Sequence, residues 1–106
     1  MHTYNRTIII GRLGADPKLN TKSKHEVVTF HLSNTTFRDG EEVVQWHKIV
    51  AFNKQARVCY EHLRKGDLCC IEGRLECELL DNGSYKQTII AERVTFLSHR
   101  KEQAND

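Results

Sequence analysis

Hydrophobic and polar residues alternate over several short runs of the chain, with turn residues between the runs. The first run, residues 7–13, is rich in β-branched side chains and stops at a Gly-Ala-Asp-Pro sequence. Residues 18–26 are polar and show no period, which predicts an exposed loop. Residues 27–37 alternate with a period of two, so we expect a second strand with one buried face and with Phe37 on its polar face.

A turn and a change of period organise the middle of the chain. An Asp-Gly turn precedes residues 43–52, which are again β-rich, so this run and the preceding one are expected to form a hairpin. Apolar residues then recur at helical spacing over residues 54–64. Asn53 is the candidate N-cap of this short helix, and Gly66 is the candidate residue that ends it.

Alternation returns in residues 68–80, and an Asp-Asn-Gly turn separates them from a last strand at residues 85–97. A sheet this small has to cover or close its edges. The order therefore predicts an all-β, five-stranded Greek-key barrel, the OB-fold, with one short helix between strands 3 and 4. We expect this domain to span residues 1–98 and a short polar tail to occupy residues 99–106. A five-stranded open sheet is the alternative.

The composition fits a single domain. With 106 residues, the chain has room for one core and excludes a two-domain enzyme with separate cofactor and substrate halves. The net charge is only +2, but residues 1–60 carry +4 and residues 61–106 carry −2, so we expect a polyanion to contact the first half. No apolar run approaches the roughly 20 residues of a membrane span, and no secretory signal is visible. We therefore expect a cytoplasmic protein whose four cysteines are thiols.

The third predicted strand places four residues on one face: Trp46, Lys48, Val50 and Phe52. If this face is exposed, it is a platform on which nucleic-acid bases stack, at about 1–3 kcal/mol per base, with the lysine as a phosphate partner. Phe37 on the neighbouring strand would extend the platform. If the face is buried, the rings simply belong to the core, because large aromatic side chains are mostly buried. The spacing alone does not decide between these interpretations.

Basic residues are expected to flank this face and to contact the phosphates of a nucleic acid. These residues are Arg6, Arg12, Lys48, Lys54, Arg64, Lys65, Arg74 and Lys86. Any one of them alone is better explained as a solvated surface charge, so the prediction depends on the group. Binding that neutralises several phosphates weakens with salt, with a slope of about −0.7 per phosphate for a single strand.

Patterns for catalysis and metal binding are weak. No Cys-x2-Cys pair is present, and the adjacent Cys69 and Cys70 point to opposite faces of a strand. His47 is expected to pack or to lie in an interface rather than act as a general base. The Gly-x-x-Gly sequence at residues 11–14 ends a strand and is better explained as a tight turn than as a nucleic-acid clamp. We therefore expect a protein that is not an enzyme and needs no metal or cofactor.

Several stretches of the chain carry a family resemblance. They are Asn-Arg-Thr-Ile-Ile-Ile-Gly-Arg-Leu-Gly-Ala-Asp-Pro at residues 5–17, Trp-His-Lys-Ile-Val-Ala-Phe-Asn-Lys-Gln-Ala at 46–56, Leu-Arg-Lys-Gly-Asp at 63–67 and Ile-Glu-Gly-Arg-Leu at 71–75. In this order, across residues 5–97, they resemble the bacterial single-stranded DNA-binding proteins of the SSB type.

The resemblance implies an OB-fold that binds single-stranded DNA without sequence preference, in DNA replication, recombination and repair. It also implies a homo-oligomer, with a tetramer favoured and a dimer possible, and we expect interface residues at His47 and in the first strand. By the family pattern, Phe37, Trp46 and Phe52 occupy base-stacking positions. The basic residues that match backbone-contacting positions of the family are Arg6, Lys48, Lys54 and Lys65.

Two features depart from the family pattern. Family members often carry a further stacking Trp, preceded by basic residues, where this chain has Glu-Cys-Glu-Leu-Leu at residues 76–80. Losing one stacking ring removes about 1–3 kcal/mol at that subsite, and two carboxylates repel phosphate, so we expect weaker binding or a shorter DNA path there. Family members also usually continue to an acidic, Phe-containing tip, which this sequence does not contain. Recruitment of replication proteins through such a tip is therefore not implied.

Two other interpretations stay open. Primosomal replication-restart proteins of the PriB type are OB-fold dimers of similar size, although the stretches at residues 11–17 and 46–56 follow the SSB pattern. An OB module that binds only proteins is favoured by the acidic fourth strand. Salt-sensitive binding to oligo-dT that quenches Trp46 fluorescence would argue against this second alternative.

Overall fold

A computed structural model describes residues 3–21 and 24–98 of the chain. Its elements, in chain order, are β1 (Thr7–Leu13), β2 (Lys18–Asn20), β3 (Val27–Arg38), β4 (Glu41–Phe52), α1 (Asn53–His62), β5 (Leu68–Leu79) and β6 (Tyr85–Phe96). The polar tail predicted for residues 99–106 lies outside the described residues.

The strands form one sheet in the order β1-β5-β6-β4-β3-β2, and the sheet closes because β1 also pairs with β3. The closing pairs are Arg12 with Ser33 and Leu13 with Leu32. Neighbouring strands are antiparallel except for β4 and β6, which run parallel. The predicted five-stranded barrel with one short helix is therefore confirmed. The helix lies between β4 and β5, which are the third and fourth strands of the prediction.

A short additional strand, β2, occupies Lys18–Asn20, where the sequence predicted a loop. It pairs with β3, and Leu19 lies opposite Val28. All three residues of β2 are exposed, so the strand has no buried face that could produce alternation in the sequence. The edge of β3 offers backbone groups that need hydrogen-bond partners, which explains the pairing. The loop prediction is wrong for these three residues.

The inward faces of the strands bury the apolar positions that alternation predicted. The buried cluster consists of Leu13, Val28, Phe30, Leu32, Ile49, Ala51, Ala56, Cys59, Leu63, Cys69, Ile71, Ile89 and Ala91. The helix α1 buries Ala56 and Cys59 and packs against β3, β4 and β6. Burial of such side chains stabilises the barrel by about 25 cal/mol per Å² of apolar surface removed from water.

The ends of α1 differ from the prediction. Phe52 occupies the N-cap position and makes no side-chain capping hydrogen bond, so Asn53 is not the N-cap. Instead, Asn53 has a positive φ of 54° and donates its backbone N–H to the carbonyl oxygen of Glu26 at 2.8 Å. Leu63 is the C-cap, so Gly66 lies beyond the helix. Gly66 serves the following turn, where its φ of 88° disfavours any residue with a Cβ.

The strands β3 and β4 form the first predicted hairpin, and their ladder includes all twelve residues of β3. The turn residues Asp39 and Gly40 both have positive φ values, 53° and 81°. This geometry matches the right-handed twist of the flanking strands. The hairpin therefore holds its outer half in register although that half extends beyond the buried core.

The strands β5 and β6 form the second predicted hairpin, with Leu79 opposite Tyr85 at its end. Cys77 and Leu79 continue, at a period of two, the face of β5 that carries Leu75, but both are exposed. They lie beyond Leu75, the last residue of this face that packs against the core. The buried part of the barrel therefore ends before this end of the hairpin.

Candidate nucleic-acid interface

The outward face of the β3–β4 hairpin carries three exposed aromatic side chains. Trp46 is 58% exposed, Phe52 is 42% exposed and Phe37 is 74% exposed. The alternate residues of β4 point inward, where Ile49 and Ala51 are fully buried. The structure therefore decides the question that the spacing left open, because Trp46 and Phe52 lie on the surface and not in the core.

The register of the hairpin fixes the spacing of these rings. Phe37 lies opposite Glu42, and Trp46 lies opposite Ser33. At about 3.3 Å per residue, the levels of Phe37 and Trp46 are about 13 Å apart along β4, and Trp46 and Phe52 are about 20 Å apart. We call the outward side of this hairpin the aromatic face, and it is formed by His31, Phe37, Trp46, Lys48, Val50 and Phe52.

A cleft of about 340 Å³ opens beside Trp46, against the loop that follows β1. Its lining residues are Gly14, Ala15, Asp16, Lys18, Thr29, Phe30, His31 and Trp46. A Cβ atom added to Gly14 would lie 2.6 Å from Cζ3 of Trp46. Gly14 does not have a positive φ, so the close approach of the indole, rather than turn geometry, is what requires glycine here. No pattern in the sequence predicted this approach.

Lys48 lies between Trp46 and Phe52 on the aromatic face, and its side chain meets Lys86 of β6. Both lysines line a second cleft, of about 380 Å³, together with Phe52. Partial burial and the neighbouring charge of Lys86 lower the pKa of Lys48. The sequence predicted both lysines as phosphate contacts, but it could not show that they meet.

Glu76 and Glu78 of β5 line the same cleft as Lys48. These two carboxylates are the ones that were expected, from the sequence, to repel phosphate. Arg74, which was predicted to contact phosphate, forms ion pairs with Glu92 at 3.0 Å and with Glu76 at 3.2 Å. Hydrogen bonds to these two carboxylates raise the pKa of Arg74. The positive charge of Arg74 is therefore neutralised by two carboxylates of the same chain.

Three other predicted arginines are also engaged within the chain. Arg6 forms an ion pair with Glu72 of β5. Arg12 donates a hydrogen bond of 3.0 Å to the carbonyl oxygen of Gly66. Arg64 donates to two carbonyl oxygens at the C-terminal end of α1, at 3.0 and 2.7 Å. Each of these contacts gives the arginine a structural role in the fold.

Lys54 and Lys65 are exposed, and neither forms an ion pair within the described part of the chain. Lys54 lies two residues after Phe52, at the start of α1. Lys65 lies in the turn after α1, where its backbone N–H donates to Oδ1 of Asp16 at 2.7 Å. The structure thus places Lys48 and Lys86 in a cleft with Phe52, Lys54 in the first turn of α1 and Lys65 in the turn after α1.

Two histidines flank the aromatic strand on opposite sides. His31 was not predicted as a site residue, but it lies exposed opposite Lys48 and lines the cleft beside Trp46. The register of the predicted hairpin could have identified His31 as a residue of this face, since cross-strand partners share a face. His47 points the other way, and its Nε2 lies 3.1 Å from Oδ1 of Asn34. This hydrogen bond fits the predicted packing role, and an interface role for His47 stays a prediction.

The described residues, 3–21 and 24–98, contain neither a metal-binding cluster nor a membrane-spanning helix. Within these ranges, no group of three or more His, Cys, Asp or Glu side chains could hold a metal ion. No helix in the same ranges is long and apolar enough to cross a membrane. All four cysteines are free, as the sequence predicted.

Comparisons with known proteins agree with this geometry. The model of the single-strand binding protein family matches residues 4–97. The chain is 39% identical over 84 residues to single-stranded DNA-binding protein 1 of Chlorobaculum tepidum, covering 74% of this chain and 52% of that protein. It is 35% identical over 109 residues to single-stranded DNA-binding protein 1 of Staphylococcus aureus strain MSSA476, covering 95% of this chain and 70% of that protein.

A solved structure shares the fold. The complex of the Plasmodium falciparum SSB with ssDNA superimposes with a TM-score of 0.78 at 25% sequence identity, covering 92% of this chain and 98% of that chain. The chain spans about half the length of the Chlorobaculum tepidum relative, at 52%. The family match covers the whole barrel and both hairpins. The chain therefore belongs to the single-strand binding protein family.

Proposed function

We propose that this protein binds single-stranded DNA without sequence preference, by stacking bases on Phe37, Trp46 and Phe52 and by placing phosphates near basic side chains. One observation carries the proposal: Trp46 and Phe52 are exposed on one strand face with Lys48 between them. An exposed row of aromatic rings beside ammonium groups is the arrangement that holds a single strand, since every base has a face that stacks. The relatives named as single-stranded DNA-binding proteins support it.

The proposed activity is binding, with no covalent step and no metal or cofactor. Coating a single strand protects it during replication, recombination and repair, and such a role is carried out at the nucleoid in the cytoplasm. The positively charged groups assigned to phosphate are Lys48, Lys54 and Lys86. Lys48 and Lys86 line the cleft with Phe52, Lys54 follows Phe52 by two residues, and none of the three forms an ion pair within the described residues. Arg6 and Arg74 are assigned a smaller direct part, because carboxylates already match their charges.

The proposal includes self-association through β1, as a tetramer or a dimer. Ile8 and Ile10 are 56% and 53% exposed on this strand. Residues Thr7–Ile10 pair with β5 on one side, whereas the pairing of β1 with β3 begins only at Arg12. An exposed apolar strand with a free edge is suited to pairing with another chain.

A second candidate function, binding to proteins alone, is favoured by one observation. The end of the β5–β6 hairpin exposes Leu79 and Tyr85 beside the acidic residues Glu76 and Glu78. An exposed apolar group with a charged rim is typical of a protein-binding surface. This candidate predicts no binding to oligo-dT even at low salt.

The proposal is tested by the affinity for fluorescein-labelled oligo-dT, measured by anisotropy. The variant with both Trp46→Ala and Phe52→Ala is expected to lose about 2–6 kcal/mol of binding free energy, since each stacked base contributes about 1–3 kcal/mol. Tyr60→Ala is the matched control, because Tyr60 is an exposed ring on α1 and is not one of the residues that form the aromatic face. Equal affinities for all three proteins would contradict the proposal, and circular dichroism would verify that the variants fold.

A further inference from the structure

We propose that Lys48 and Lys86 hold one and the same phosphate of the bound strand, so that the cleft between β4, β5 and β6 is a phosphate subsite. This inference rests on the proposed function and adds the place where one phosphate of the bound DNA is held. It concerns two residues that are distant in the sequence and meet only because β4 and β6 run side by side.

The two lysines line one and the same cleft. The parallel pairing of Val50 with Ile90 aligns β4 and β6, and the residues that precede this pair on each strand line the cleft. The side chains of Lys48 and Lys86 both line this cleft, and the positive charge of Lys86 is one of the causes that lower the pKa of Lys48. The cleft, at about 380 Å³, lies in the size range of small-ligand sites. A single phosphate group can therefore reach both ammonium groups at once.

The two lysines of the cleft form no ion pair within the described residues. Glu78 lies directly opposite Lys86 in the β5–β6 ladder, yet the two form no ion pair there. Arg74 shows the contrasting case on the same hairpin, because it binds two carboxylates. Lys86 instead lies against Lys48, where the two positive charges repel each other. An anion between the two ammonium groups would turn this repulsion into two attractive contacts.

The surroundings favour the phosphate of a nucleic acid over a free carboxylate or sulfate. Phe52 lines the same cleft and is exposed, so a base next to the held phosphate can stack on its ring. Glu76 and Glu78 line the cleft from β5 and repel an anion on that side. The phosphate is therefore confined to the side of β4 and β6. The bound DNA then passes along β4 and β6 and avoids the acidic part of β5.

The salt dependence of oligo-dT binding distinguishes a shared phosphate from two separate ones. For a single strand, the slope of log K against log salt changes by about 0.7 for each phosphate that the protein no longer neutralises. If Lys48 and Lys86 share one phosphate, then Lys48→Ala or Lys86→Ala alone weakens binding but leaves the slope nearly unchanged, because the other lysine still neutralises that phosphate. The double variant then lowers the magnitude of the slope by about 0.7.

Two separate phosphates give a different result: each single variant would lower the slope by about 0.7 and the double variant by about 1.4. That result, or a Lys86→Ala variant that binds like the unsubstituted protein, would overturn the shared subsite. Lys86→Arg is the matched control, because it keeps the charge and should keep the slope. If the unsubstituted protein does not bind oligo-dT at all, the proposed function fails as well, so the two failures are distinguishable.

Discussion

Gly14 and Trp46 touch so closely that a Cβ atom on the glycine would lie 2.6 Å from Cζ3 of the indole. The loop after β1 therefore passes directly against the ring that is proposed to stack on DNA. The indole is otherwise largely exposed, at 58%, so this contact is one of the few that restrict its orientation. Gly14 is thus assigned the role of positioning Trp46.

A methyl group at position 14 should displace the indole without unfolding the barrel. We expect Gly14→Ala to weaken oligo-dT binding by up to the value of one stacked base, about 1–3 kcal/mol, with a small change in unfolding temperature. The measurement is anisotropy with labelled oligo-dT, together with thermal unfolding. In a Trp46→Ala background the same substitution should cost no further affinity. An equal loss in both backgrounds would show that Gly14 acts on something other than Trp46.

The acidic residues of β5 should weaken binding by repulsion. Replacing both by glutamine, Glu76→Gln and Glu78→Gln, is expected to raise the affinity for oligo-dT at low salt, and the gain should shrink as salt screens the charges. Competition binding at two salt concentrations measures this. Glu61→Gln is the control, because Glu61 is an exposed acid on α1. Lower affinity in the β5 variant would mean that these carboxylates help to shape the site.

The cysteines should divide into two reactive classes. Burial raises the pKa of both Cys59 and Cys69 to about 12, whereas Cys77 is exposed and Cys70 is half-buried. Because the thiolate is the reacting form, we expect a disulfide reagent at pH 8 to modify Cys77 and Cys70 quickly and the other two only after unfolding. Four fast thiols in the folded protein would contradict this burial.

The same pKa shifts predict a loss of stability at alkaline pH. Unfolded thiols lose their protons above about pH 9.0, whereas the folded Cys59 and Cys69 keep theirs up to about pH 12. The folded state then binds more protons than the unfolded state, so the free energy of unfolding falls as the pH rises through this window. A variant with Cys59→Ala and Cys69→Ala should lack this part of the pH dependence in denaturant titrations.

The exposed isoleucines of β1 should control self-association. We expect Ile8→Glu with Ile10→Glu to lower the molar mass in solution to that of one chain, 12.3 kDa, because charges replace the apolar groups of the proposed interface. Light scattering after size-exclusion chromatography measures this mass. Leu79→Glu serves as the control, since Leu79 is also an exposed apolar residue, at the end of the β5–β6 hairpin. A mass that changes only with Leu79→Glu would place the interface there.

The alternation of side chains predicted the strands well because each strand buries one face. It could not decide whether Trp46 and Phe52 point outward, since a period of two says which residues share a face and not which face is buried. The strand Lys18–Asn20 was missed because its three residues are all exposed and carry no alternation. Asn53 was misassigned because its backbone, in a left-handed conformation, bonds to Glu26 instead of leaving its side chain to cap the helix.

For the candidate site, the sequence indicated which residues are neighbours along one strand, but not which residues of distant segments meet. Local spacing placed Lys48 between the rings, but the meeting of Lys48 with Lys86 and of Gly14 with Trp46 depends on how distant strands and loops pack. The sequence did not indicate that Arg74 pairs with Glu92, which lies 18 residues further along the chain, and a phosphate contact at Arg74 stays a prediction. Tertiary packing of residues remote in sequence is what the sequence alone did not reveal.

The most direct test of single-strand binding by base stacking is the fluorescence of Trp46, the single tryptophan of the chain, during titration with oligo-dT. A base stacked on the indole should quench its emission, and the quenching curve should shift to higher DNA concentrations as salt rises. Quenching would show that a base stacks on Trp46, and its salt dependence would show that basic side chains beside the ring contact phosphates. Emission that stays unchanged at low salt, with DNA in excess, would contradict the account.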